Sequence, residues 1–174
     1  MSNTFTTIDF ELATAKYSSV CAVGIVEVVA GKITQEFYSL VRPPQNTYMW
    51  QTSRVHGIKA KHTADAPTFL ELYPQIKALL KGKHMVAHDE LLDRSVLKET
   101  MKYYKLPYAE LELAEMWDCT SKIYRSLGFE RTKLSICCQV MGVELTHHDA
   151  LSDARATAEL YLKIDQAKEL KQLG

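Results

Sequence analysis

Residues 5–41 restrict the fold more than any other part of the chain, because their side-chain pattern has a period of two. In Phe5 to Leu12, Ile8, Phe10 and Leu12 fall on one face and Thr7, Asp9 and Glu11 on the other, which is the alternation of a strand. Val20 to Ala30 and Ile33 to Val41 are rich in β-branched and aromatic residues and meet at Gly31-Lys32, a hairpin-like join. Three antiparallel strands therefore open the chain, which argues against an all-helical protein. Pro43-Pro44 closes this unit, and residues 45–66 read as an irregular polar loop with aromatics at Tyr48 and Trp50.

Helical spacing follows. Phe69, Leu72, Tyr73, Ile76, Leu79 and Leu80 recur at intervals of three and four after Pro67, and Lys81-Gly82-Lys83 supplies the stop. His84 to His88 is a short apolar strand, Leu91 to Tyr104 is helical in period, and Met116 to Cys119 reads as a further strand. Leu134 to Met141 is a helix ended by Gly142, and Ala150 to Leu170 is one long Ala-rich helix. The order βββ-α-β-α-β-α-α, with no internal repeat or linker, predicts an α/β fold: a mixed five-stranded β-sheet flanked by α-helices, in a single domain over residues 1–174.

Charge and composition narrow the function. Lys plus Arg and Asp plus Glu number 21 each, which argues against strong nonspecific affinity for a phosphate backbone. The charge is uneven, with nine basic and six acidic groups in residues 1–87 against twelve and fifteen in 88–174, so any nucleic-acid contact must be local. The richest apolar run, Val20 to Ala30, is broken by Glu27 and falls short of the roughly 18 residues a membrane span needs. The first residues lack the pattern of an export signal, and a cytoplasmic protein without membrane contact is expected. Cys21, Cys119, Cys137 and Cys138 show no Cys-x-x-Cys spacing, so they are expected to be reduced and mostly buried.

Three separated segments carry chemistry. Asp9-x-Glu11 puts two carboxylates on one side of the first strand, where a hard cation such as Mg²⁺ or Mn²⁺ would relieve their repulsion. His88 ends a strand that feeds a helix, with Asp89 as its expected N-cap and Asp93 one turn inside. His147-His148-Asp149 enters the last helix, with Asp149 as cap, His148 on the entering loop and Asp153 fixed in the first turn. A mobile imidazole beside a fixed carboxylate suits a base working next to a metal. All these groups can meet at one edge of the sheet.

Ile-Asp9-Phe-Glu11, Val-Ala-His88 through Asp93-Arg-Ser-Val-Leu, and His148-x-Ala-x-x-Asp153 together resemble the motifs of the DEDDh family of 3′-to-5′ exonucleases, over nearly the whole chain. The resemblance implies a ribonuclease-H-like fold. It also implies that Asp9, Glu11, Asp93 and Asp153 hold two divalent ions, Mg²⁺ or Mn²⁺, and that His148 is the general base. The implied activity releases nucleoside 5′-monophosphates from the 3′ end of single-stranded nucleic acid, DNA ahead of RNA. Leu12 stands where the family usually has a small residue and is expected to wedge against the terminal base. Asp89 replaces the usual Asn, an extra anion near the scissile phosphate, and Leu92 replaces the usual Phe. The segment around His56-Gly57-Ile58, with Arg54, Lys59 and Lys61, resembles a substrate loop. A polymerase or repair partner and a homodimer stay open. Two rival readings are an all-helical His-Asp phosphohydrolase, prompted by His88-Asp89 and His148-Asp149, and a nucleic-acid-binding module of the same fold without catalysis.

Overall fold

The computed structural model describes residues 2–172. The first three strands are β1 (Phe5–Leu12), β2 (Val20–Val29) and β3 (Lys32–Leu40). The turn between β2 and β3 is Ala30-Gly31, one residue before the expected join; both have positive φ, 49° and 78°, the geometry of a two-residue hairpin whose twist matches its strands. Two short strands, β4 (Met85–Ala87) and β5 (Asp118–Cys119), complete a sheet of order β3-β2-β1-β4-β5. β1 pairs antiparallel with β2 and parallel with β4, and β4 pairs parallel with β5. The sheet is therefore mixed, with β1 at its centre. Its five strands dispose of the all-helical reading.

Among the described residues seven α-helices flank it: α1 (Trp50–His56), α2 (Phe69–Leu80), α3 (Glu90–Tyr103), α4 (Thr120–Ser126), α5 (Leu134–Met141), α6 (Ala150–Leu162) and α7 (Ile164–Gln172). One face of the sheet gives Ile8, Phe10, Val23 and Ile25 to a core shared with Phe69 and Ile76 of α2 and Val96 and Leu97 of α3. The other face gives Phe5, Val26 and Val28 to a core with Cys137 of α5, Ala154 and Leu160 of α6 and Ile164 of α7. Helices on both faces explain why β1 is buried on both sides, although its sequence alternates as a half-solvated strand would.

Four local expectations are corrected. The loop over residues 45–66 contains the helix α1, none of whose side chains is buried; without an apolar stripe it left no periodic signal. α4 follows β5 without a break, held by the Tyr124 hydroxyl donating to the Leu160 carbonyl at 2.9 Å. The expected helix over 150–170 is two helices, interrupted at Lys163, and the interruption lets Ile164 and Ala167 turn back into the core. Pro67 does not begin α2. Thr68 is its N-cap, in a reciprocal capping box in which Thr68 Oγ1 accepts from the Glu71 N–H and Glu71 Oε2 accepts from the Thr68 N–H.

Candidate active site

The site forms where the end of β1 meets the start of α6, and a glycine permits the meeting. Asp9 is paired across the ladder with Gly24 of β2. A Cβ on Gly24 would lie 2.1 Å from the Ala150 carbonyl oxygen, the first residue of α6. Only a residue without a side chain lets the helix backbone rest directly on the strands there. The Thr7 hydroxyl adds a tie, donating to the Ala154 carbonyl at 2.8 Å. Asp149 caps α6 as expected, its Oδ1 accepting from the Ser152 N–H at 2.8 Å. With the helix pinned this way, Asp153 faces β1, and oxygens of Asp9, Glu11 and Asp153 lie within 4.8 Å of one another. These acids therefore meet at the end of the central strand rather than at an edge of the sheet.

Asp93 comes from the first turn of α3 and is buried. It stands outside the 4.8 Å group yet close enough that its charge raises the pKa of Asp9. Burial and the surrounding anions act together on all four acids. Asp9 is pushed well above the usual carboxylate range, first by burial and then by Asp93, Asp153 and Glu11. Asp93 is raised by burial and by Asp89, Glu11 and Asp153. Glu11 is pushed up to about 8 by burial and by Asp153 and Asp149. Asp153 is also raised by burial, against the opposing pull of His147 and of the His148 N–H. Mutually repelling, desolvated carboxylates are what a divalent cation stabilises. Asp153 Oδ1 is buried with no hydrogen-bond partner, and the donors are all oxygen, so the four acids fit a hard ion such as Mg²⁺ or Mn²⁺.

The histidines occupy the rim. His148 has φ 66°, and its N–H donates to Asp153 Oδ2 at 3.2 Å. Burial, His147 and His56 lower its pKa, so its imidazole is neutral at pH 7. The His147 ring stacks on it at 3.8 Å. The motif spacing in the sequence singles out His148 and is silent on His147; the structure brings a ring nitrogen of each within 4.8 Å of an Asp153 oxygen.

The expected substrate residues lie in three different settings. Leu12 is half-buried at the end of β1, next to a bulge that places Leu12 opposite Val20 and Glu11 opposite Ala22; bulges re-aim side chains beside sites of this kind. The ring of His56 is engaged on both edges. Its Nδ1 accepts from the Ile58 N–H at 3.0 Å, which leaves Nε2 protonated and donating to the Leu12 carbonyl at 3.1 Å. His56 thus braces the end of β1. Asp89 occupies the N-cap position of α3 but its side chain makes no cap hydrogen bond, contrary to expectation. It is exposed instead beside a groove of about 380 Å³ whose other charged side chains are Arg125, Glu130, Arg131 and Lys133. Tyr48 is anchored to the Thr63 hydroxyl at 2.9 Å, whereas Trp50 is exposed with the Arg54 guanidinium 4.9 Å above its ring.

The chain is similar to known proteins both in sequence and in shape. The family model described as exonuclease, RNase_T, matches residues 6–161. A PolC-type DNA polymerase III of Caldanaerobacter subterraneus subsp. tengcongensis is 28% identical over 155 residues, 87% of this chain but 10% of that protein. The DNA polymerase III subunit epsilon of Escherichia coli is 24% identical over 144 residues, 80% of this chain and 59% of that one. The chain thus spans about a tenth of the PolC-type relative and three-fifths of the epsilon subunit. Among solved structures, exonuclease X in complex with 5′ overhanging duplex DNA superposes with a TM-score of 0.73 at 26% identity, over 94% of this chain and 92% of the other. The nuclease domain of 3′hExo, a DEDDh family member bound to rAMP, gives a TM-score of 0.78 at 20% identity over the same shares, a likeness of fold. With the family model matched over residues 6–161, most of its length, the chain belongs to the RNase_T exonuclease family.

Proposed function

We propose that this chain is a divalent-metal-dependent 3′-to-5′ exonuclease that acts on single-stranded nucleic acid, DNA ahead of RNA, and releases nucleoside 5′-monophosphates. One observation carries the reading: carboxylates separated by more than 140 residues in sequence converge within 4.8 Å, with the His148 imidazole at their rim. In this reading Asp9, Glu11, Asp93 and Asp153 hold two Mg²⁺ or Mn²⁺ ions. Such a pair, when bound, lowers the pKa of an attacking water and offsets the charge on the leaving oxygen.

The protein supplies the rest. His148, neutral at working pH, accepts the proton of the attacking water as the new P–O bond forms and the P–O3′ bond breaks. Its place on a loop, tied by one backbone hydrogen bond to Asp153, leaves the ring free to swing toward the substrate. Leu12, braced by His56, packs against the terminal base and leaves no room for a following nucleotide, which sets the polarity of digestion. Arg125, Arg131 and Lys133, which outnumber Asp89 and Glu130 in the same groove, offer the local positive charge that a chain with no net charge must use to hold a phosphate backbone. The preference for DNA and the attachment to a polymerase or repair partner are supported by the polymerase relatives. Four buried free cysteines fit a reducing, cytoplasmic setting, and among the described residues no helix is long and apolar enough to cross a membrane.

The test offers end-labelled single-stranded DNA, single-stranded RNA and a mismatched duplex to the purified protein, with Mg²⁺, with Mn²⁺ and with chelator. Mononucleotides released stepwise from the 3′ end of single-stranded DNA, only with metal, are expected. Internal cuts, digestion from the 5′ end, or equal turnover in chelator would overturn the reading.

A further inference from the structure

A second set of ligand-type side chains stands beside the acidic group and differs from it in kind. His147, His148 and Asp153 each offer a donor atom within 4.8 Å of the others. Two features assemble them. The left-handed backbone at His148, φ 66°, turns two consecutive imidazoles onto the same side, whereas an extended chain would send them to opposite sides. The rings stack with centroids 3.8 Å apart and 23° between their planes. Asp153 Oδ2 lies 3.4 Å from His147 Nδ1 and accepts from the His148 backbone N–H at 3.2 Å, with a His148 ring nitrogen within 4.8 Å of an Asp153 oxygen. Left-handed backbone at a residue with a β-carbon costs about 1–2 kcal/mol, and such conformations persist where the surrounding structure holds them for a purpose.

Two imidazoles and one carboxylate are a poor match for Mg²⁺ and a good one for borderline ions, which bind nitrogen more tightly across the first-row series. Three protein ligands with a fourth position open is the usual composition of an accessible zinc site. Zn–N and Zn–O bonds of about 2.0–2.2 Å place tetrahedral donors about 3.3 Å apart, so a swing of the exposed His147 ring closes the set. We propose that His147, His148 and Asp153 form a site for Zn²⁺ or a similar transition-metal ion, and that filling it stops the exonuclease by engaging the imidazole of His148. The inhibitory half rests on the function proposed above; the binding half stands on the ligand geometry alone.

The experiment titrates Zn²⁺ into the full chain by calorimetry in saturating Mg²⁺, which engages Asp9, Glu11, Asp93 and Oδ1 of the shared Asp153 and leaves Asp153 Oδ2 to the imidazoles, and follows nuclease activity under the same conditions. The wild-type protein is expected to bind one Zn²⁺ and to lose activity with the same midpoint. His147→Ala is expected to keep its activity in Mg²⁺ within about twofold while its Zn²⁺ affinity and sensitivity fall by at least the 10–100-fold typical of a lost metal-site partner. Circular dichroism checks its fold, and His147→Asn is expected to behave alike. X-ray absorption at the zinc edge should read imidazole nitrogen in the wild type. Equal Zn²⁺ affinity in wild type and both variants, an all-oxygen edge spectrum, or no Zn²⁺ binding in Mg²⁺ would overturn the site. Tight binding that requires His147 but leaves turnover untouched would overturn the inhibitory role alone. Absence of nuclease activity on every substrate would refute the proposed function, and the calorimetry would still decide the metal site.

Discussion

In the proposed function Glu11 opposes the stability of the metal-free fold at the same place where it would hold a metal ion. Its pKa rises from an ordinary 4.5 to about 8 through burial and the charges of Asp153 and Asp149. Between those values the folded protein holds a proton that the unfolded chain has released. The stability this contributes is therefore full below about pH 4.5 and is lost as pH rises through about 8. The metal-free protein is expected to melt several degrees lower at pH 8 than at pH 5 in a thermal scan, and saturating Mn²⁺ should remove most of that difference. Glu11→Gln keeps the shape and removes the charge. At pH 8 it is expected to raise the Tm of the metal-free protein by about 2–4 °C for each kcal/mol of relieved repulsion. Metal-dependent turnover should fall at least 10–100-fold in the same variant. His148→Ala should separate the two roles. Turnover is expected to drop about 10²–10⁴-fold, while the Tm increase on adding Mn²⁺ stays that of the wild type.

At the scale of elements, the contact between β2 and α6 decides whether the site exists. Gly24 admits the α6 backbone, and because the atoms its Cβ would strike are the Ala150 carbonyl and the Leu151 nitrogen, no side-chain rotation can make room. Gly24→Ala is expected to cost about 1–3 kcal/mol in denaturant unfolding, as overpacking does. By displacing Asp153 it should also abolish stabilisation by Mn²⁺, which a merely destabilising change elsewhere would leave intact. The bidentate Arg155–Glu36 pair joins the same helix to β3, yet both side chains are partly exposed. Arg155→Ala is expected to change stability by under about 1 kcal/mol. The elements that could be read in advance have strong local signals: the alternation of β1, the 3-4 spacing of α2 and the Gly142 stop of α5, which takes up φ 61°. α1 could not be read because its anchor is tertiary, the Thr52 hydroxyl donating to the Ala13 carbonyl at 2.6 Å. The interruption at Lys163 has no Gly or Pro to announce it.

For the whole molecule, neutrality and the proposed ion binding set the behaviour expected in solution. Ligation to the folded state alone stabilises by about 2.7 kcal/mol at a free-ion concentration 100 times the dissociation constant. Chelator is therefore expected to lower the Tm by an amount that grows with the Mn²⁺ removed, and a Tm indifferent to both would count against ion binding. With 21 charges of each sign, few phosphates can be neutralised at once. The slope of log affinity for single-stranded DNA against log salt is about −0.7 per phosphate contacted. A slope corresponding to roughly three contacts is expected, from Arg125, Arg131 and Lys133, and replacing one of them by Ala should flatten it by one contact.

Local chemistry alone determined that three strands come first, that Asp149 caps a helix and that Asp9, Glu11, Asp93, His148 and Asp153 are the residues to watch, because periodicity, caps and motif spacing are properties of neighbours along the chain. Tertiary structure decided which carboxylates touch, that His56 braces β1 through Nε2, that the Asp89 side chain leaves its helix uncapped and that His147 joins His148 at Asp153. Those outcomes depend on how closely a helix rests on a sheet and on which way one backbone angle turns, and the packing of residues more than a hundred positions apart sets both.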